Sequence, residues 1–124
     1  MLGVLLVAVG GAIGSVTRYL LGGWVAARYG ASFPYGTFII NVTGSFIIGL
    51  FLAFAQDRAW LSPYWRLFFA VGFLGGYTTF STFEYESVKL LQDGEMLLCA
   101  LYMIGSVVTG AVGAIAGIAL GSWI

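Results

Sequence analysis

The chain has 124 residues, 60% of them hydrophobic and 8% charged, with five basic and five acidic side chains. Soluble domains carry about 25% charged residues, so this composition, with a mean hydropathy of +1.00, excludes one and indicates an integral membrane protein. The absence of His and the single Cys99 exclude a disulfide framework, a His-ligated metal centre and His-based acid–base catalysis within the chain.

At about 20 residues per helical crossing, the length allows four crossings with short loops, so residues 1–124 read as a single all-α membrane domain. The apolar runs place the spans at residues 2–27, 34–56, 63–91 and 95–122. The start, Met1-Leu2-Gly3-Val4, lacks the basic region of a signal peptide, and Arg18 interrupts what would be its apolar core, so the first helix is expected to be retained. Arg18, with Thr17 and Tyr19 beside it, lies deep in that span. It either snorkels to an interface or draws anions into a vestibule.

Tyr29-Gly30-Ala31-Ser32-Phe33-Pro34 is a turn into a second helix expected to start at the proline. Asn41 sits in the middle of that span, with Thr37 one turn earlier on the same face. An intramembrane amide is costly and marks function by default. Its NH2 can donate to an anion; the alternative is a hydrogen bond between helices. Asn41-Val42-Thr43 also matches a glycosylation sequon, which its depth in the membrane makes irrelevant.

Gln56-Asp57-Arg58 ends the second span and Leu61-Ser62-Pro63 caps the third. The third contains Gly72-Phe73-Leu74-Gly75-Gly76-Tyr77-Thr78-Thr79-Phe80-Ser81-Thr82-Phe83, in which five of the last seven residues bear a hydroxyl. Lipid offers no water to freed backbone groups, so a helix broken in the middle at this depth must face a protein-lined cavity or an ion. Carbonyls around Gly75 to Thr78 suit an alkali cation. Beyond them Phe80 and Phe83, three apart, are expected to share a face. Their electropositive ring edges, with the hydroxyls of Thr79, Ser81 and Thr82, suit a small anion. Glu84 and Glu86, two apart, project from different faces and form no carboxylate pair.

Gln92-Asp93-Gly94-Glu95 is the last loop, and in the fourth span Tyr102, Ser106 and Thr109 form a hydroxyl stripe at helical spacing. Gly10 with Gly14, and Gly113 with Gly117 and Gly121, are small-residue contact faces that serve either packing within the chain or a dimer seam. Trp24, Tyr29, Trp60, Tyr64, Trp65 and Trp123 fall near span ends, as an aromatic belt requires. Lys and Arg near span ends set orientation, but four crossings put Arg58 and Arg66 on one side and Arg28 and Lys89 on the other. Two against two favours insertion both ways and an antiparallel, dual-topology homodimer, the two-chain form of an inverted repeat.

Three stretches together resemble the small dual-topology fluoride channels of the Fluc or CrcB family: Gly10 to Tyr19, Phe33 to Gly49, and Gly72 to Phe83. The resemblance covers essentially the whole chain. It implies a non-enzymatic homodimer in the cell inner membrane, passive fluoride permeation that lowers cytoplasmic fluoride toxicity, and a structural sodium at the dimer centre. By position it implies backbone carbonyls of Gly75 and Thr78 on the sodium and ring edges of Phe80 and Phe83 lining the pores. Asn41 would point at the ion path, Ser106 and Tyr102 would continue it, and Glu86 would lie near a vestibule; nucleic acid has no place in this picture. Members of that family can carry a second serine one turn after Ser106, where this chain has Gly110. A proton-coupled multidrug exporter shares four spans and dual topology, but it needs a carboxylate deep in the first helix, and none is present.

Overall fold

The computed structural model describes residues 1–124, and every regular element in it is helical. In chain order these are α1 (Leu2–Tyr29), α2 (Tyr35–Gln56), α3 (Pro63–Trp65), a π-helix (Arg66–Leu74), α4 (Gly75–Tyr77), α5 (Phe80–Gln92) and α6 (Met96–Trp123). The limits fall within two residues of the expected spans; α2 starts at Tyr35, with Pro34 as its N-cap, one residue later than expected. Three helices, α1, α2 and α6, are long and apolar enough to cross a membrane. At 1.5 Å per residue they measure about 42, 33 and 42 Å, against a hydrocarbon core of about 30 Å.

Local chemistry sets the boundaries. Ser62 Oγ accepts the Tyr64 N–H at 3.2 Å and caps α3, whose first residue is Pro63, a position that needs no N–H. Gly30 and Gly94 close α1 and the last loop at φ 81° and 80°, a left-handed conformation that costs a side-chain-bearing residue dearly. Between α4 and α5, Thr78 (φ −83°, ψ 157°) and Thr79 (φ −149°, ψ 119°) are extended and interrupt the helix.

Glycines decide how the helices meet. A Cβ on Gly10 or Gly14 would strike the backbone carbonyls of Phe68 and Phe73, so α1 lies directly on the π-helix. A Cβ on Gly117 or Gly121 would strike the carbonyls of Phe46 and Leu50, and one on Gly49 would lie 2.5 Å from the Ala114 carbonyl, so α2 and α6 touch backbone to backbone. Both small-residue faces therefore serve contacts within the chain.

Arg58 Nη2 donates to the Ile124 carbonyl at 2.6 Å, and Gly3 lies against Leu67, so the second loop shares an end with both chain termini. Phe33 packs on Tyr102 and Tyr29 on Tyr35 at the other end, where Arg28 and Lys89 lie. Only 17 of 124 residues are buried. Most large apolar side chains thus face outward, toward lipid or another chain. Cys99 is buried with Phe83, Leu90 and Tyr102 as a small apolar core residue.

Candidate functional site

The break is held open by α2. Asn41 Nδ2 donates to the Thr79 carbonyl at 2.9 Å, and Asn41 Oδ1 accepts the Thr79 N–H at 2.8 Å. In an uninterrupted helix that N–H would bond to the Gly75 carbonyl, which is thereby freed. Thr79 Oγ1 accepts the Thr82 N–H at 3.3 Å and caps α5, so the Thr78 carbonyl loses its helical donor in turn. The Gly76 carbonyl is taken instead by Arg18 Nε at 3.1 Å. Arg18 is thus held at the break through its Nε.

Beside the break lies a cavity of about 360 Å³ whose lining includes Asn41, Gly75, Thr78, Thr79, Phe80, Phe83 and Ser106. Seven of the residues singled out from the sequence converge here. The Ser106 hydroxyl is buried and has no hydrogen-bond partner. Phe80 and Phe83 stand 6.1 Å apart and both line the cavity, but their environments differ: Phe83 is 6% exposed and Phe80 73%. No other element of the chain covers Phe80, which opens α5 at the break, so the shared face expected for the two rings is only half enclosed.

A second cavity, of about 540 Å³, lies at the end carrying Lys89, Asp93 and Glu95 and includes Thr37 and Glu86 in its lining. Glu86 Oε2 accepts from Thr37 Oγ1 at 3.1 Å and Oε1 accepts from Tyr102 Oη at 2.8 Å. The Tyr102 ring meets Phe83 edge-on at 5.0 Å, so Tyr102, fully buried, bridges a lining residue of each cavity, Phe83 of the first and Glu86 of the second. Glu84 has no part in this cluster, as the two-residue spacing predicts.

The hydroxyls are more committed than the sequence indicates. Thr79 Oγ1 donates to Thr82 Oγ1 at 3.0 Å, leaving the Thr82 hydrogen as the free donor of that pair. Ser45, missed in the sequence, lines the first cavity, and its Oγ lies 3.6 Å from where a Cβ on Gly110 would stand. Its spacing of four from Asn41 was the available signal. Ser45 therefore brings a hydroxyl beside Gly110.

These residues lie within the stretch, residues 5–118, that matches the family model described as CrcB-like protein, Camphor Resistance (CrcB). The chain belongs to the CrcB family. Its CrcB relatives include a protein of Chloroflexus aurantiacus, 50% identical over 120 residues (97% of this chain and 95% of the other), named Fluoride-specific ion channel FluC. Proteins of the same name from Geotalea uraniireducens and Geobacter sulfurreducens are also 50% identical, over 106 and 115 residues. The first of these covers 86% of each chain and the second 93% of each. The CrcB resemblance expected from three short stretches is thus borne out across nearly the whole length.

Proposed function

We propose that this chain is a fluoride-selective channel that lets fluoride leave the cytoplasm passively across the cell inner membrane, and so limits fluoride toxicity. The observation that carries the reading is the buried, unpartnered Ser106 hydroxyl in a cavity bounded by the Phe80 and Phe83 rings. A buried donor without a partner costs about 1–3 kcal/mol. A small anion repays it, and the ring edges accept that anion without trapping it behind a full positive charge. The name shared by the relatives supplies fluoride as that anion.

The working form is an antiparallel homodimer with two pores, in which the segment from Pro63 to Gln92 makes the fourth crossing. Two observations support it. Basic residues divide two against two between the ends, and Phe80 is exposed within one chain. Sodium fits the break: Gly75 and Thr78 offer neutral carbonyls relieved of their helical donors, and a Cβ built on Gly75 meets nothing within 4 Å. Two carbonyls are too few oxygens for a hard cation, so a second copy across the dimer axis would add its own pair and bring the number to four. When bound, sodium would neutralise those carbonyls and brace the centre.

Purified protein in liposomes should release trapped fluoride rapidly and chloride not measurably. Equal fluxes of the two ions, or none, would overturn the reading.

A further inference from the structure

We infer that Tyr77 and Thr43, with Gly44 beside them, are positioning residues that set the direction of the Thr78 carbonyl toward its cation. The inference rests on the sodium reading above. The Tyr77 hydroxyl lies 2.9 Å from Thr43 Oγ1. Thr43 Oγ1 itself is 2.6 Å from the Ile39 carbonyl and 3.1 Å from that of Ile40. A hydroxyl has one hydrogen to give, and Thr43 gives it to its own helix, so Tyr77 is the donor of the bond between them. The phenol is aimed by a column of rings: Tyr77 stacks on Phe73 at 5.8 Å and 10°, and Phe73 on Phe69 at 5.5 Å and 4°. Tyr77 is 5% exposed, so this bond is made away from lipid.

On the other side of Thr78, both backbone groups of Thr79 are held by Asn41. The peptide between Thr78 and Thr79 is planar and trans, so its carbonyl points opposite to its N–H. Because that N–H is given to Asn41 on α2, the Thr78 carbonyl faces away from α2. Gly44 completes the seat, since a Cβ there would strike the Thr78 methyl. A single turn of α2 therefore holds three consecutive residues of the break: Thr43 the one before Thr78, Gly44 Thr78 itself, and Asn41 the one after. Releasing Tyr77 loosens the residue that leads into Thr78, while the Asn41 anchor on Thr79 and the bonds of the Thr78 N–H and hydroxyl to the Leu74 carbonyl, at 3.0 and 2.9 Å, stay in place.

The test uses the full chain carrying Tyr77→Phe, Thr43→Val or both, with melting followed as sodium replaces a bulky organic cation at constant ionic strength. The sodium concentration for half-maximal protection should rise about three- to tenfold in each single variant, the range that one neutral hydrogen bond commands. The double variant should shift no further, because both changes remove the same bond. Fluoride efflux should recover toward the unmodified rate at high sodium. A merely structural role would lower melting equally at every sodium concentration, and that result overturns the inference. Additive shifts in the double variant overturn the pairing. An unmodified chain indifferent to sodium overturns the cation assignment and this inference together, while fluoride efflux from the same preparation would leave the channel reading standing.

Discussion

The helix α2 makes two kinds of contact, and they solve opposite problems. Against α6 it offers Gly49 and receives Gly117 and Gly121, so the two backbones approach with nothing between them. Against the break it offers Asn41 and Thr43, side chains that reach out to groups the break has freed. In lipid no hydrophobic force drives helices together, so close packing and hydrogen bonds must do so. The seam with α6 uses the first and has no chemistry to spare. The contact with the break uses the second, and its leftover capacity, one free Asn41 N–H and two carbonyls without helical donors, is what an ion can use.

That contrast can be broken at either side. The largest effect is expected at the seam: Gly117→Leu drives a side chain into the Phe46 backbone, which cannot yield, and should abolish recovery of a monodisperse peak in size-exclusion chromatography. Asn41→Ala should spare the seam but orphan both Thr79 backbone groups, at about 1–3 kcal/mol for each. Liposome efflux of fluoride should fall at least about tenfold, with the folded protein still recovered. Phe80→Ile alters a ring that packs little within the chain; flux should drop while chain stability stays within about 0.5 kcal/mol in chemical denaturation. Glu86→Gln keeps one oxygen acceptor but replaces the other with an NH2 donor, so the bond to Thr37 or Tyr102 must reverse direction and both bonds lose their charge assistance. A fall in flux of a few-fold and a loss of about 1 kcal/mol are expected. Smallest of all, Lys89→Ala removes an exposed pair with Asp93 at 3.5 Å. It should change stability by less than about 0.5 kcal/mol in the same denaturation experiment.

How much of this was legible in the sequence depends on the range of the interaction. Ser62-Pro63, Gly30 and Gly94 fix helix limits through bonds and torsions within a few residues, and those limits were readable. The break was readable because a run of glycines and hydroxyls is costly at membrane depth unless it faces a polar cavity or an ion. The glycine spacings announced contact faces but not their partners, because a GxxxG face is the same whichever helix meets it. Nothing in Arg66–Leu74 distinguishes a π-helix from an α-helix, because the two share the same residue preferences and differ only in which carbonyl each N–H reaches. The Tyr77–Thr43 bond joins residues 34 apart, and Arg18 reaches Gly76 across 58, so neither had a local signature. The unequal exposure of Phe80 and Phe83 depends on which elements happen to cover each ring, which spacing along one helix does not encode.

The even split of Arg58 and Arg66 against Arg28 and Lys89 has a consequence for supply. Under the antiparallel arrangement proposed above, every functional pair consumes one copy of each orientation, so the scarcer orientation caps the number of channels a cell can assemble. A single new lysine near either end would leave each chain's fold intact, yet strand the surplus orientation without mates. Under that proposed arrangement, selection on such a gene would act on a ratio within the population of copies, and the neutral tally of basic residues would let one reading frame furnish both halves of its own product.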